Sequence, residues 1–300
     1  MSKTSAWISA MRLRTLPLSL SGIILGSSVA QYNGYWNTLI FIFAILTTIL
    51  FQVLSNFAND LGDGQKGTDN EDRVGPERAV QSGVISHKEM KRAVILTAIL
   101  SFASAGFLIY LAAQNMSSAT IWFYVGLTVA SVIAAISYTI GKNAYGYHGL
   151  GDLMVFFFFG GVSVLGVYSL FAPVFLMDNI LLAIFVGLLS VAVLNLNNMR
   201  DIVNDKASGK NTLVVKMGAN SAKFYHSILI ILALTTLTIF ILKIENSLLL
   251  IALFPSILLL IHIRKVMATK DPKDFDPELK KVALTTFAIS LFTSIGLFLL

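Results

Sequence analysis

The chain has 300 residues, of which 56% are hydrophobic and only 13% are charged, and its formal net charge is +6 at pH 7. Soluble domains carry about 25% charged residues, so this composition excludes an ordinary soluble domain as well as a disordered chain. Cysteine is absent, which excludes disulfides, thiolate nucleophiles and cysteine-bound zinc or iron–sulfur sites.

The apolar residues are gathered into nine long runs that contain no Asp, Glu, Lys or Arg. Each run matches the roughly 20 residues that a helix needs to cross a hydrocarbon core of about 30 Å. A membrane β-barrel would instead show alternating segments of about ten residues. In chain order the runs cover residues 15–32, 38–57, 93–113, 118–137, 153–177, 179–199, 224–242, 246–263 and 282–300. The sequence therefore predicts an all-α polytopic membrane protein with nine transmembrane helices.

The lysines and arginines are distributed unevenly over the loops that nine helices define. Of the 22 basic residues, 21 fall on the side of the N-terminus, and only Lys243 falls on the other side. Because positively charged loops stay in the cytoplasm, we expect a cytoplasmic N-terminus and an external C-terminus. Topology and anionic lipids account for the positive charge, so no nucleic-acid partner is expected.

A segment rich in Asn, Asp and Gly follows the second run. If the helix continues through its cytoplasmic end, four polar side chains share one face at i, i+3, i+4 and i+7. These are Asn56, Asn59, Asp60 and Asp63. Gly64 and Gly67 then allow the chain to turn, which would bring Asp69 back toward that face.

A comparable segment follows the sixth run, where Asn197, Asp201 and Asp205 recur every fourth residue. Both acidic segments follow an even-numbered helix, so they are expected at the same face of the membrane. The spacing suggests one transmembrane domain over residues 1–300, with a pseudo-repeat of helices 1–4 and 5–8 plus a ninth helix. The two segments would then face each other across a central cavity.

Carboxylates that share a partly desolvated cavity repel one another unless cations neutralise them. The donors here are Asp and Asn oxygens, which suit a hard ion such as Mg²⁺, and Mg²⁺ is often completed by substrate phosphates. The basic residues near the two segments would complement a diphosphate: Lys66, Arg73, Arg78, Lys142, Arg200 and Lys210. His87, His148, His226 and His262 are scattered singly, so we assign them to loop or interface positions.

Two alternatives belong to other classes. Asn and Asp at helix ends are often caps or solvated loop residues, although two matched segments on one face argue against that reading. An ion-coupled transporter also uses intramembrane acids, but it predicts carboxylates near the middle of the helices. The second and sixth runs have none there.

These motifs resemble the UbiA superfamily of intramembrane aromatic prenyltransferases, whose members carry an Asn/Asp-rich motif after helix two and a DxxxD motif after helix six. The resemblance covers nearly the whole chain and is closest to the MenA branch. The segments that carry it lie at residues 12–17, 59–69, 72–73, 138–139, 145–152, 197–201 and 209–213. The first motif is often written NDxxDxxxD, whereas here the third acid is Asp69 and position 67 is Gly67. This longer spacing is similar to the naphthoate branch, and it leaves open whether Asp60 or Asp69 is the closer metal ligand.

The resemblance implies an enzyme that transfers a polyprenyl group from polyprenyl diphosphate to 1,4-dihydroxy-2-naphthoate, giving demethylmenaquinone, CO₂ and diphosphate. It implies Mg²⁺ as cofactor, as two ions completed by the substrate diphosphate. It also implies a bacterial inner-membrane protein whose active site faces the cytoplasm and whose prenyl tail leaves between helices into the bilayer. The alternative within the superfamily is another acceptor, such as 4-hydroxybenzoate, homogentisate or haem.

The resemblance also implies a role for each site residue. The metal ligands are Asn59, Asp60, Asp63, Asp69, Asp201 and Asp205, of which Asn59, Asp63, Asp201 and Asp205 are catalytic. The diphosphate-binding residues are Lys66, Arg73, Lys142, Arg200 and Lys210. The residues beside the substrate and the allylic carbocation are Asn56, Tyr138, Asn197 and Asn198.

Overall fold

The computed structural model describes residues 2–68, 74–75, 78–174 and 176–300. Over these residues the chain is helical, and nine helical segments are long and apolar enough to cross a membrane. They are α1 (Lys3–Tyr32), α2 (Thr38–Lys66), α3 (His87–Ala112), α4 (Ser118–Ser137), α5 (Gly151–Phe171), α6 (Asn179–Arg200), α7 (Ala219–Ile244), α8 (Ser247–Ala268) and α9 (Pro272–Phe298). Each coincides with one predicted run, so the chain is an integral membrane protein and the all-α prediction is confirmed.

Several helices begin at side-chain caps outside the apolar runs. The Asn37 side chain accepts hydrogen bonds from the first turn of α2, and Ser117 does the same for α4. Ser86 and Glu89 form a reciprocal capping box at the start of α3. Each cap satisfies backbone N–H groups that have no partner within the helix, which stabilises the helix by about 1 kcal/mol.

The N-terminal part of α1 was not predicted. The helix starts at Lys3–Met11, is interrupted by Arg12 in a left-handed conformation (φ 50°), and resumes at Leu16–Tyr32. The first segment is too short and too polar to register as a membrane run. It packs on α2, where the rings of Trp7 and Phe57 meet edge to face at 5.5 Å.

The second helix continues past its apolar run, as the spacing of its polar residues predicts. It extends to Lys66 and ends at Gly67, whose φ of 71° lies in the left-handed region that glycine adopts without strain. Gly64 remains inside the helix, so Gly67 alone ends it, and the predicted return of Asp69 toward the polar face lies outside the described residues.

The backbone of α5 approaches both α1 and α6 closely. The middle of α5, Phe156–Gly166, is a π-helix. A Cβ added to Gly26 of α1 would lie 2.5 Å from the Val164 carbonyl oxygen, and one added to Gly160 would lie 3.0 Å from Cα of Gly187 on α6. Small residues at such contacts let membrane helices pack backbone to backbone.

Candidate active site

A cavity of about 360 Å³ lies among helices α1 to α6. Asn56, Asn59 and Tyr138 line the end that carries the acidic segments, which we call the motif end. On α2 the lining runs from Asn59 back to Ala44, which is about 22 Å at 1.5 Å per residue. The cavity is therefore a long, largely apolar channel with polar groups at one end.

The two acidic segments meet at Lys210. Its ammonium nitrogen lies 3.8 Å from Asp63 Oδ2 and 3.7 Å from Asp205 Oδ1, and both carboxylates are buried, with 7% and 2% of their residues exposed. Burial alone would disfavour the ammonium, but Asp63 and Asp205 raise the pKa of Lys210 above its ordinary value. A cation is thus held between one carboxylate of each segment.

The helical hydrogen bonding of the second segment continues past the end of α6 and positions Asp205. The Asp201 amide donates to the Asn197 carbonyl at 3.1 Å, and the Asp205 amide donates to the Asp201 carbonyl at 2.8 Å. The three residues therefore keep the spacing of four that the sequence predicts. Asp63 reaches the same place because it lies one turn before the end of α2.

Tyr147 lies in the loop between α4 and α5 and contacts Asp63, Thr68 and Lys66. Its hydroxyl donates to Asp63 Oδ1 at 2.8 Å, and the Thr68 hydroxyl donates to the same phenol oxygen at 2.5 Å. The nitrogen of Lys66 lies 3.8 Å from the centre of the Tyr147 ring, a cation–π contact. Burial and the adjacent Asp63 raise the pKa of Tyr147, so the phenol stays protonated and able to donate.

Sequence reasoning missed Tyr147 and Asn204 as site residues. Asn204 Nδ2 donates to the Thr68 carbonyl at 2.7 Å and forms a second link between the two acidic segments. Tyr147 lies inside the motif segment 145–152 and Asn204 is the neighbour of Asp205 in the second acidic segment, and these positions were the signal that could have found them. Spacing alone does not show which side chain of a loop turns inward.

Arg200 and Asp201 form a separate buried ion pair. The guanidinium donates to both Asp201 carboxylate oxygens at 2.9 and 2.7 Å, to Asp276 of α9 at 2.5 Å and to Asn197 at 2.8 Å. Only 1% of Arg200 is exposed. Here Arg200 holds α6 against α9 instead of facing the cavity, which differs from the expectation that it lies ready for a diphosphate.

Asp60 also lies apart from Lys210, Asp63 and Asp205. It lines a second pocket of about 280 Å³, between α2 and the N-terminal residues, together with Arg12, Arg14 and Arg78. The Val80 amide lies 3.4 Å from Asp60 Oδ1. The structure therefore does not bring Asp60 into one site with Asp63. The two residues are three positions apart on α2, but Asp60 contacts Val80 and the second pocket, whereas Asp63 contacts Tyr147 and Lys210.

Asn56, Asn59 and Tyr138 line the cavity, and each has its own neighbours. Asn56 donates to the Met11 carbonyl at 2.8 Å, and the Thr139 hydroxyl lies 3.5 Å from Asn59 Oδ1. Burial raises the pKa of Tyr138 to about 12, so its phenol is neutral.

Of the four other predicted residues, two can be placed and two cannot. Asn198 is buried at the end of α6, whereas Lys142 is exposed and forms no ion pair with a described residue. Asp69 and Arg73 lie outside the described residues.

Two of the four histidines that are scattered singly along the sequence meet in the structure. The Nε2 atoms of His226 and His262 lie 2.8 Å apart, and His262 Nδ1 contacts the Glu278 carboxylate. These residues meet where α7, α8 and α9 pack, and they do not line the cavity. Residues far apart in sequence meet here through tertiary packing, which single-chain spacing does not show.

The oxygen donors at the motif end fit a magnesium site. Among the described residues, no three His, Asp or Glu side chains form a ready metal cluster. Asp63 and Asp205 nevertheless converge on one cation, the Lys210 ammonium, and Asn59 lines the adjoining cavity. Mg²⁺ needs only one or two carboxylates when waters and substrate phosphates complete its shell.

A largely apolar channel among membrane-spanning helices, with two carboxylates and a buried ammonium group next to its polar end, is typical of an intramembrane enzyme site. The chain belongs to the UbiA prenyltransferase family, which it matches over residues 19–295.

The chain is similar to 1,4-dihydroxy-2-naphthoate octaprenyltransferases. It is 41% identical to that of Escherichia coli (strain K12), over 99% of this chain and 96% of that protein. It is 42% identical to that of Haemophilus influenzae (strain ATCC 51907 / DSM 11121 / KW20 / Rd), over 98% and 96%. Among solved structures, a UbiA homologue from Archaeoglobus fulgidus bound to DMAPP and Mg²⁺ shares the fold, with a TM-score of 0.58 and 14% identity over 94% of this chain and 99% of that one.

Proposed function

We propose that this protein transfers a polyprenyl group from polyprenyl diphosphate to 1,4-dihydroxy-2-naphthoate, with loss of CO₂ and diphosphate, to form demethylmenaquinone. The observation that carries the proposal is the meeting of Asp63 and Asp205 on one cation at the polar end of an apolar membrane channel. The two relatives at 41% and 42% identity, which match nearly the whole chain, supply the acceptor and the place in menaquinone biosynthesis.

Asp63, Asp205 and Asn59 are the residues that would hold Mg²⁺. Asp69 and Asp201 are the further ligands expected from the sequence, and Asp201 is paired with Arg200 in this structure. The solved homologue with DMAPP and Mg²⁺ supports the use of this metal. Bound Mg²⁺ would neutralise the diphosphate and make it a better leaving group.

The lysines beside the carboxylates contribute to the same step. Lys210 is buried and Lys66 is exposed beside it, and both ammonium groups can donate charge-assisted hydrogen bonds to the departing diphosphate oxygens. Tyr147 keeps Asp63 in place through its hydroxyl.

The channel itself protects the reacting allylic group. Its wall is largely apolar, and Tyr138, Phe158 and Phe159 bring aromatic rings to the cavity lining. Aromatic faces stabilise a cation by about 0.5–2 kcal/mol, most strongly where water is absent. An allylic cation therefore forms where ring faces are available.

The orientation follows from charge. The motif end lies on the side of the N-terminus, where 21 of the 22 lysines and arginines are found. By the positive-inside rule this side faces the cytoplasm, where the water-soluble acceptor reaches the site.

The test is a reconstituted reaction with purified protein, Mg²⁺, octaprenyl diphosphate and candidate acceptors, with products identified by mass spectrometry. Prenylated, decarboxylated product from 1,4-dihydroxy-2-naphthoate is expected, and chelation of Mg²⁺ should stop its formation. Turnover of 4-hydroxybenzoate, homogentisate or haem but not of the naphthoate would overturn the acceptor. Absence of diphosphate release with every acceptor would overturn the enzyme itself.

A further inference from the structure

The second pocket, between the N-terminal residues and α2, has a basic lining that the transfer reaction does not use. Three of its nine lining residues are arginines and one is an aspartate: Arg12, Arg14, Arg78 and Asp60. Among the described residues, none lines both this pocket and the channel. The pocket is therefore a separate place where positive charge is concentrated.

The second pocket lies at the boundary of the bilayer. Arg12 and Arg14 come just before the first apolar run, which begins at residue 15, and Asp60 comes three residues after the second run, which ends at residue 57. Two apolar side chains, Ile8 and Leu13, also line the pocket and are 53% and 45% exposed. Basic groups and exposed apolar groups thus occur together where lipid headgroups meet the hydrocarbon.

The backbone of the N-terminal segment is strained at this pocket. Arg12 has a φ of 50°, a left-handed conformation that is unfavourable for a residue with a Cβ. It separates the helix Lys3–Met11 from the helix that resumes at Leu16, and both Arg12 and Arg14 line the pocket. Strained residues of this kind cluster at ligand sites.

Asp60 gives the pocket a buried hydrogen-bond acceptor. Only 1% of Asp60 is exposed, and the Val80 amide donates to its Oδ1 at 3.4 Å. Its Oδ2 accepts no hydrogen bond from a described residue. A buried carboxylate oxygen without a partner is unfavourable, and a donor on a ligand would satisfy it. A ligand that fits carries an anionic group for the arginines and a donor for Asp60.

An anionic phospholipid whose headgroup carries hydroxyl groups has both features. Its phosphodiester accepts charge-assisted hydrogen bonds from guanidinium groups, whose planar fork matches phosphate oxygens. A glycerol hydroxyl of the same headgroup can donate to Asp60 Oδ2. A zwitterionic lipid brings no net charge to a lining of three arginines and one carboxylate, so it gains less from this pocket.

We propose that the second pocket binds the headgroup of an anionic phospholipid of the phosphatidylglycerol class. Basic pockets between membrane helices are suited to anionic headgroups. The bound lipid bridges the N-terminal segment and α2, and its acyl chains lie along the exposed Ile8 and Leu13. Because only the folded chain has this pocket, the lipid stabilises it by mass action. The inference does not depend on the proposed transfer reaction.

The experiment measures lipid binding to the delipidated full-length protein in detergent, by native mass spectrometry and thermal unfolding, without donor or acceptor. Phosphatidylglycerol, phosphatidylethanolamine and phosphatidylcholine with identical acyl chains are compared. Phosphatidylglycerol should bind wild type most tightly and raise its unfolding temperature most. Arg14→Gln and the double variant Arg14→Gln/Arg78→Gln should lose this preference, with about a tenfold weaker affinity in the double variant, since charge-assisted contacts are removed.

Arg92→Gln is the matched control, because Arg92 is an exposed arginine at the same end of the helices and lies outside the pocket. It should keep the preference of wild type. Arg14 is itself exposed, so Arg14→Gln tests the proposal even if the double variant does not fold. Equal binding of the three lipids by wild type, or an unchanged preference in Arg14→Gln, would overturn the proposal.

Competition distinguishes a lipid from other anions. Inorganic phosphate and 1,4-dihydroxy-2-naphthoate are each added to the protein with bound phosphatidylglycerol, and neither should displace it. Displacement by phosphate would show that the pocket takes a free anion, and this would overturn the lipid assignment. Displacement by the naphthoate that is lost in Arg14→Gln would assign the pocket to the acceptor's carboxylate and overturn it as well.

The role of Asp60 is tested by its own variant. Asp60→Asn should reduce the preference for phosphatidylglycerol over phosphatidic acid, because it removes the charged acceptor that the glycerol hydroxyl meets. The ratio of the two affinities by native mass spectrometry measures this effect. An unchanged ratio would overturn the contact between Asp60 and the headgroup.

Discussion

The Lys210 ammonium lies where a divalent cation is expected to bind. It forms ion pairs with the buried carboxylates of Asp63 and Asp205, and so stabilises the meeting of two segments that come from helices four spans apart. Two buried carboxylates that lose their counter-ion are strongly unfavourable. Lys210 therefore lets the site form before metal and substrate arrive.

Lys210→Met should destabilise the metal-free protein by about 3–5 kcal/mol, because it removes the ammonium that lies between two buried carboxylates. Mg²⁺ should recover much of this loss, since it binds the same oxygens. Thermal unfolding with EDTA and with Mg²⁺ measures both effects, and Lys206→Met, at an exposed lysine of the same segment, is the control. A variant as stable as wild type in EDTA would contradict the assignment.

The pH dependence of this stabilisation follows from the raised pKa of Lys210. A group with a raised folded-state pKa contributes fully below its unfolded pKa and loses that contribution only as the pH rises through the folded value. The stability difference between wild type and Lys210→Met should therefore stay constant between about pH 7 and pH 9. A difference that disappears over this range in denaturation experiments would contradict it.

Tyr147→Phe removes one hydroxyl and keeps the ring against Lys66. Because Asp63 and Thr68 both lose a partner, the protein should be destabilised by about 1–3 kcal/mol, and more Mg²⁺ should be needed for half-maximal activity. Titration of activity with Mg²⁺ measures the second effect. Tyr145→Phe is a suitable control, since its hydroxyl bonds to the Ala134 carbonyl and not to a site residue. An unchanged Mg²⁺ requirement in Tyr147→Phe would refute the positioning role.

At the scale of elements, α5 determines the shape of the channel. It lines the cavity with Phe158, Phe159 and Val162, while its Gly160 lies against the backbone of α6 and Gly26 of α1 lies against its Val164 carbonyl. The sequence predicted this helix from its apolar run. It did not predict the π-helical winding, because that winding depends on contacts with the neighbouring helices and not on hydrophobic periodicity.

Gly160→Ala should destabilise the protein, although alanine is favoured over glycine in a helix by about 1 kcal/mol. The added Cβ would meet the backbone of α6 at Ala183 and Gly187, which cannot move aside cheaply. Gly126→Ala on α4 is the control, because no atom lies within 4 Å of its Cβ position. Thermal unfolding in detergent should show a lower stability for Gly160→Ala but not for Gly126→Ala. Equal changes of stability in the two variants would refute the close packing at Gly160.

At the scale of the whole molecule, composition and run length were enough to predict nine membrane helices. The positions of two polar segments after even-numbered helices were enough to predict that acidic residues meet. What spacing could not predict is side-chain direction: Asp60 and Arg200 carry the expected chemistry but face other partners. Those directions are set by the N-terminal segment and by α9, which are distant in sequence.

The orientation of the whole molecule is open to direct test because the chain has no cysteine. Single cysteines at two exposed positions, Lys206→Cys at the motif end and Gln114→Cys at the opposite end, should react with an impermeant maleimide from opposite sides. In intact cells only Gln114→Cys should be labelled, and in inverted vesicles only Lys206→Cys. The reverse pattern would place the active site outside the cytoplasm.

The central claim is that Asp63 and Asp205 act as one unit on a metal-bound diphosphate. The most direct measurement is a double-mutant cycle in kcat/KM with Asp63→Ala, Asp205→Ala and the double variant, with Asp178→Asn at the exposed ion pair to Lys243 as control. Each single variant should remain folded and lose about 100-fold or more in kcat/KM, and the double variant should be little worse than either single one. Near-normal turnover in either single variant, or losses that multiply in the double variant, would contradict the account.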